Sequence, residues 1–229
     1  MKFSGGIIGS AFSGSAGGIT ASRNRFGSYL RDRIVPVNPN TPAQQAVRGF
    51  MASLSNDWID VLTQVQRDDW TTYADNVTLI DALGAPINVT GMNMYVRSNI
   101  PALQAGLSRQ DDAPSIFDLG AFTNPSLVAT ASGPTLDVAF DNTDAWANED
   151  GAAMILYGSR PQNPTINFFK GPYRFADTIL GNATTAPTSP AIIASPFAFD
   201  AAQKVFASVR VIRSDGRLSG SFRLSVLAV

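Results

Sequence analysis

Apolar residues recur at spacings of three and four in the middle of the chain, which is the period of a helix with one buried face. The two stripes comprise Val47, Phe50, Leu54, Trp58 and either Val61 or Leu62, and then Trp70, Tyr73, Ala74 and Val77. Before each stripe a Thr stands three residues ahead of a Gln, the pattern of a capping box. The pattern predicts two helices with a tight junction near Leu62–Thr63. A third helix is predicted to follow Thr90 and to end near Ile100-Pro101, because the residue before a Pro disfavours helix.

Beyond residue 126 the apolar period changes to two. Leu136, Val138 and Phe140 alternate with polar or small residues, and residues 205–211 separate into an apolar and a polar face. Turn residues such as Ser214-Asp215-Gly216 divide these runs. The pattern predicts an antiparallel β-sandwich of immunoglobulin-like size in residues 126–229, without fixing the order of its strands.

Neither period is present in residues 1–40. Seven glycines lie between Gly5 and Gly27, and Gly is costly to order. Residues 1–48 contain six basic side chains and one acidic side chain, although the whole chain has a net charge of −1. This asymmetry favours an extended arm that contacts an acidic or polar partner surface. The alternative is a loose hairpin folded on its own domain.

These regions together predict an α+β chain in four parts. We expect an extended Gly/Arg-rich arm in residues 1–40 and a helical docking unit in 41–106. A polar connector in 107–125 would follow, where we place the domain boundary, and then the sandwich in 126–229. Residues 79–89 are expected to form a linker or a short hairpin around Gly84-Ala85-Pro86. No run of residues is long and apolar enough to span a bilayer.

Composition argues against most catalytic chemistry. The chain has no Cys and no His, which excludes thiol nucleophiles, His-based triads and His zinc sites. It has no Gly-Lys-Ser/Thr phosphate loop and no Gly-x-Ser-x-Gly nucleophile turn. We therefore expect a protein that is not an enzyme and that has no catalytic residue, cofactor or resident metal.

Clustered carboxylates are the remaining candidates for small-ligand chemistry. They are Asp68-Asp69, Asp111-Asp112, and the group Asp141, Asp144, Glu149 and Asp150. Acidic residues in turns and first helical turns are ordinary, so we interpret most of them as turn and cap residues. A calcium site in the third group is the sharpest small-ligand hypothesis, and a hydrolase that uses such pairs is a weaker one.

Two sets of residues are candidate contacts. The basic segment supplies the candidate assembly contacts Arg23, Arg25, Tyr29, Arg31 and Arg33. Trp146 lies in a polar loop and is predicted to be exposed, which makes it the candidate ligand contact. The helical spacing of Trp58, Trp70 and Tyr73 favours core packing over a stacking surface.

Part of the chain resembles a loose group of bacteriophage and prophage virion-associated structural proteins. The matching residues lie between about 15 and 100 and comprise Ser22 to Arg31, Pro36 to Gln45, Arg48, Trp58, Leu62-Thr63, Gln66-Arg67, Trp70, Tyr73-Ala74, Gly91, Asn93 and Tyr95. The resemblance implies a structural component of the particle, as a decoration, minor capsid or tail-associated protein. Its expected partners are other virion proteins and further copies of itself, in a virion assembled in the bacterial host cytoplasm. Nucleic acid and membranes are not expected partners. The alternative function is a carbohydrate-binding or adhesin module that uses Trp146.

Overall fold

The computed structural model describes residues 2–4, 11–24, 26–81 and 84–229. Its backbone forms two compact units, Met1–Gln45 and Ala46–Val229. The helical and strand-rich regions therefore belong to the same unit, whereas the sequence placed a domain boundary between them. None of the described helices has the length and apolar character needed to cross a membrane.

The first unit contains a run of antiparallel strands. They are β1 (Lys2–Ser4), β2 (Ala11–Ala16), β3 (Ile19–Asn24) and β4 (Gly27–Asp32). Each strand pairs with the next one along the chain. The sequence has no clean strand period here, yet the described residues pair as strands. This local pairing differs from the extended arm that the sequence favoured, and the alternative, a loose hairpin folded on its own domain, stays a prediction. The physical reason is that the small residues between the glycines leave the backbone free to pair with its neighbour.

Three helices follow, and their starts agree with the predicted caps. They are α1 (Pro42–Asp60), α2 (Gln64–Asn76) and α3 (Gly91–Gln104). The Thr63 hydroxyl accepts from the Gln66 N–H, and the Gln66 side chain accepts from the Thr63 N–H at 2.9 Å. Thr41 and Gln44 make the same reciprocal pair. The capping boxes predicted from the sequence are thus confirmed.

The buried aromatic side chains of the helices pack against one another. Trp70 lies with its ring centroid 5.9 Å from that of Tyr73 and 5.5 Å from that of Tyr95, both in edge-on contacts. Leu54 and Leu62 are buried in the same cluster, and Trp58 is partly buried against it. Val61 is exposed, so Leu62 is the residue that completes the first stripe.

The sequence predicted the end of α3 incorrectly and the segment between α2 and α3 correctly. The helix α3 continues past Pro101 to Gln104, so the predicted stop at Ile100-Pro101 was wrong. Packing explains the difference, because Pro101 and Ala102 are both buried and tertiary contact outweighs the lost backbone hydrogen bond. Residues 79–89 contain the short hairpin that was one of the two expectations, formed by β5 (Leu79–Ile80) and β6 (Pro86–Ile87).

Seven further strands form two antiparallel sheets. They are β7 (Ser126–Thr130), β8 (Thr135–Ala139), β9 (Ala153–Ser159), β10 (Tyr173–Leu180), β11 (Ala191–Ala194), β12 (Lys204–Ile212) and β13 (Phe222–Leu227). One sheet has the order β10-β9-β12-β13 and the other β11-β8-β7. The predicted α+β class and the antiparallel strand region are confirmed at this level.

The alternation read from the sequence fixes which side chains fill the space between the two sheets. Leu136 and Val138 of β8 are fully buried, as are Val205, Val209 and Val211 of β12. Along β12 the intervening residues turn to the opposite face of the sheet. A shift of one residue in register would expose this whole apolar set.

The helices pack against the four-stranded sheet through a small cluster of buried apolar side chains, separate from the core of the helices and the core between the sheets. Ala102 of α3 is buried with Ile155 of β9, Ile212 of β12 and Leu218. Polar contacts add to it, since Tyr157 donates its hydroxyl hydrogen to Gln104 Oε1 at 2.8 Å. Residues 46–229 therefore share continuous packing from the helices to the sandwich.

Residues 107–125, expected to be a polar connector, are anchored to both neighbours. The Trp70 indole N–H donates to the Asp111 carbonyl at 2.9 Å, and the Tyr73 hydroxyl donates to the Asp118 carbonyl at 2.7 Å. The Arg217 guanidinium lies 2.7 Å from an Asp118 carboxylate oxygen. The segment is irregular in backbone but fixed in place by partners on each side.

Candidate functional site

The predicted assembly residues lie on the hairpin of β3 and β4, but not on one face of it. Pairing places Ser22 opposite Tyr29 and Thr20 opposite Arg31, so Tyr29 and Arg31 project from the same face. Arg23 pairs with Ser28 and projects from the other face.

The remaining two candidates, Arg25 and Arg33, are not placed by the pairing of β3 with β4. Arg33 follows the end of β4, where its backbone N–H donates to the Gly18 carbonyl at 2.8 Å. Arg25 lies outside the described residues. Arg23, Tyr29, Arg31 and Arg33 are all exposed. The structure thus brings together Tyr29 and Arg31 and separates them from Arg23.

Exposed apolar side chains follow this hairpin along the chain. Val37 is 91% exposed, and Ile34 and Val35 are each 77% exposed. Ile34, Val35 and Val37 were not among the contacts predicted from the sequence, although the short apolar run that ends at Pro39 was the available signal. A contiguous apolar stretch that the chain leaves in water is typical of an interaction surface.

Trp146 is buried, so the prediction that it is an exposed ligand contact was wrong. Only 1% of its surface is exposed. Its ring centroid lies 5.2 Å from that of Phe140, and its N–H donates to Asp144 Oδ2 at 3.3 Å. The polar residues around it in sequence supply turns and a hydrogen-bond partner, while the large ring fills the end of the sandwich core.

The four carboxylates considered for calcium have separate partners. Asp141 accepts from Thr143, Asp144 from Thr123, and Asp150 from the Ala183 N–H. Glu149 accepts hydrogen bonds from Arg213 and Ser214. Within the described residues, no group of three or more acidic side chains could hold a metal ion. The calcium hypothesis therefore has no geometric support in that part of the chain.

Glu149 is instead part of an internal ion pair. Its Oε2 lies 2.5 Å from Arg213 Nη2, with both side chains largely shielded from water. Burial alone would raise the pKa of the Glu149 carboxyl, but the hydrogen bonds from Ser214 and the Arg213 guanidinium outweigh it and hold that pKa below its ordinary value. The pair fixes the loop before β9 to the turn after β12.

A polar depression of about 260 Å³ lies on the face of the four-stranded sheet that is turned away from the sandwich core. It is lined by Tyr157, Tyr173, Ser208, Arg210, Ser221 and Arg223. Sequence reasoning identified Ser208 and Arg210 only as the polar face of a strand. No local signal joins the six residues, because they come from β9, β10, β12, β13 and the residue before β13.

Comparison with known proteins identifies no family for this chain. No family model matches the chain, and no curated protein is significantly similar to it. A solved Fn3-like protein from Clostridium thermocellum is similar to part of it, with 16% identity and a TM-score of 0.31. That similarity covers 48% of this chain and 95% of the other chain, and its score is too low to support an argument about function.

Proposed function

We propose that this chain is a structural subunit of a bacteriophage particle and that it assembles through its N-terminal region. The observation that supports the proposal is the exposed apolar stretch of Ile34, Val35 and Val37, which follows the basic hairpin. A surface of this kind is stabilised when a partner covers it. The resemblance of residues 15–100 to virion-associated proteins supports the same role.

Electrostatics favours a polar or acidic partner for the same region. No carboxylate forms an ion pair with Arg23, Arg31 or Arg33 in the part of the chain that the structure describes. Arg presents a planar fork of donors and retains its charge at any relevant pH, which suits contacts between subunits. The sandwich would then project from the particle as a decoration, minor capsid or tail-associated domain.

The first test is quantitative mass spectrometry of purified particles, scaled to the major capsid protein. A fixed ratio is expected, and its size would separate a head or tube protein of high copy number from a vertex or tail-tip protein of low copy number. Absence from clean particles, with abundant protein in the lysate, would overturn the proposal.

The second test asks whether the exposed stretch is the assembly contact. The double substitution Val35→Ser with Val37→Ser is expected to lower incorporation into particles by at least about tenfold, because two buried contacts with a partner would be lost. Since both side chains are exposed, the free subunit should fold as before.

The control is Ile192→Ser, which removes a 72% exposed apolar side chain from β11. Its incorporation is expected to be normal. Equal incorporation of the double variant and the wild type would reject the N-terminal contact, and so would normal incorporation of a chain that lacks residues 1–35. The adhesin alternative relied on Trp146 as its ligand contact, and Trp146 is buried.

A further inference from the structure

The polar depression is formed by a row of side chains that crosses three strands. The register pairs Tyr157 of β9 with Ser208 of β12, and Ser208 with Arg223 of β13. Arg210 lies two residues further along β12 and therefore on the same face. The Ser208 hydroxyl is hydrogen-bonded to the Ser221 hydroxyl at 2.6 Å. The sheet thus places two guanidinium groups beside a set of hydroxyls.

The positive charge in this depression has no counterion among the described residues. Arg109, Arg213 and Arg217 form the ion pairs found among the described residues, whereas Arg210 and Arg223 form none there.

One buried donor in the lining of the depression is also unsatisfied. The Tyr173 hydroxyl is buried and has no hydrogen-bond partner among the described residues. Burial raises the pKa of Tyr173 and the nearby Arg223 charge opposes that shift, so the hydroxyl stays protonated and can donate. A buried donor of this kind is unfavourable unless something accepts from it.

We propose that this depression binds a small hydroxylated oxyanion, such as a sugar acid or a sugar phosphate. Arg210 and Arg223 would contact the carboxylate or phosphate group, since guanidinium forks match the oxygens of both. Tyr173, Ser208 and Ser221 would exchange hydrogen bonds with the ligand hydroxyls. The volume of about 260 Å³ admits one sugar ring. The inference does not depend on the proposed role in a particle.

Isothermal titration calorimetry of the full chain tests the ligand class. The probes are glucuronate, glucose 6-phosphate, inorganic phosphate and neutral glucose. Saturable binding of glucuronate or glucose 6-phosphate at millimolar concentration is expected, and the stronger of the two identifies the acidic group. Binding of glucose as strong as that of both acids would overturn the proposal, as would the absence of saturable binding to either acid. Equal affinity for inorganic phosphate would show that the hydroxyls contribute nothing and would also overturn it.

Variants test the location of the site. Arg210→Gln and Arg223→Gln are each expected to weaken binding by about tenfold or more, because each removes a charge-assisted contact. Tyr173→Phe removes only an unpartnered hydroxyl, so it should leave folding intact while it weakens binding.

The control is Arg31→Gln, which changes the net charge by the same amount but lies in the first compact unit. Its affinity should equal that of the wild type, and circular dichroism checks the fold of each variant. Unchanged affinity in Arg210→Gln and Arg223→Gln would place any binding elsewhere and reject this site.

Discussion

At the scale of single residues, three of the five ion pairs among the described residues connect segments that are distant in sequence. Arg213 reaches Glu149 across 64 positions, and Arg217 reaches Asp118 across 99. Arg109 contacts Asp57 at 2.5 Å and joins the connector to α1. Because the charges are partly shielded and hydrogen-bonded, loss of one partner leaves the other unsatisfied. Such pairs are therefore more sensitive to substitution than exposed ones.

Substitution of Glu149 should show a defined dependence on pH. Glu149→Gln is expected to lower the free energy of unfolding by about 1–2 kcal/mol at pH 7, because Arg213 loses its counterion. A carboxyl with a lowered pKa stabilises the fold above its unfolded pKa of about 4.5 and loses that effect as the pH falls through its folded pKa. The difference between variant and wild type should therefore shrink toward about pH 3.

Urea unfolding at both pH values measures this difference. Asp75→Asn is the control, since Asp75 is an exposed carboxylate on α2 and makes no ion pair with the described residues. Its stability should stay within about 0.5 kcal/mol of the wild type. If Glu149→Gln lowers the free energy of unfolding equally at neutral and acid pH, the stabilising role assigned to the Glu149 charge is contradicted.

At the scale of elements, capping residues set where helices begin, and packing sets how closely neighbouring helices approach each other. The Arg67 Nη1 group of α2 donates to the Trp58 carbonyl at 3.0 Å, which satisfies an acceptor at the end of α1. At the start of α3, a Cβ on Gly91 would lie 2.8 Å from the Thr71 backbone nitrogen of α2. A glycine is therefore required where these two helices meet.

Gly91→Ala is expected to destabilise the chain by about 1–3 kcal/mol, because the added methyl forces α2 and α3 apart. Gly49→Ala is the matched control in α1, where an added Cβ meets nothing within 4 Å. That control should stabilise the chain by about 0.5–1 kcal/mol, since Gly is a poor residue for a helix interior. Thermal unfolding of the two variants checks the prediction, and a neutral effect of Gly91→Ala would disprove the close approach.

At the scale of the whole molecule, the helices and the sandwich share packing around Leu218. This residue is fully buried with Ala102 of α3 and Ile155 of β9. Since residues 46–229 form one compact unit, we expect them to unfold in a single transition. The helical region would then not behave as an independent domain.

Leu218→Ala tests this cooperativity. It should lower the free energy of unfolding by about 3 kcal/mol and shift the fluorescence of the tryptophans and the circular dichroism of the backbone together. Leu180→Ala, at an exposed position of β10, should have a much smaller effect. Two separate transitions in either protein would indicate that the helices and the sandwich fold independently.

The sequence by itself determined where the helices of this protein begin and which residues of β8 and β12 alternate between two faces. The capping residues Thr63 and Gln66 lie three positions apart, and the alternation in β8 and β12 involves neighbouring residues, so both can be read without knowledge of distant contacts. Only the tertiary structure decided the position of Trp146, the partner of Glu149 and the gathering of Tyr173, Arg210 and Arg223 in one depression. Each of these depends on strands that pair across many residues, and a polar neighbourhood along the chain does not determine what surrounds a side chain in space.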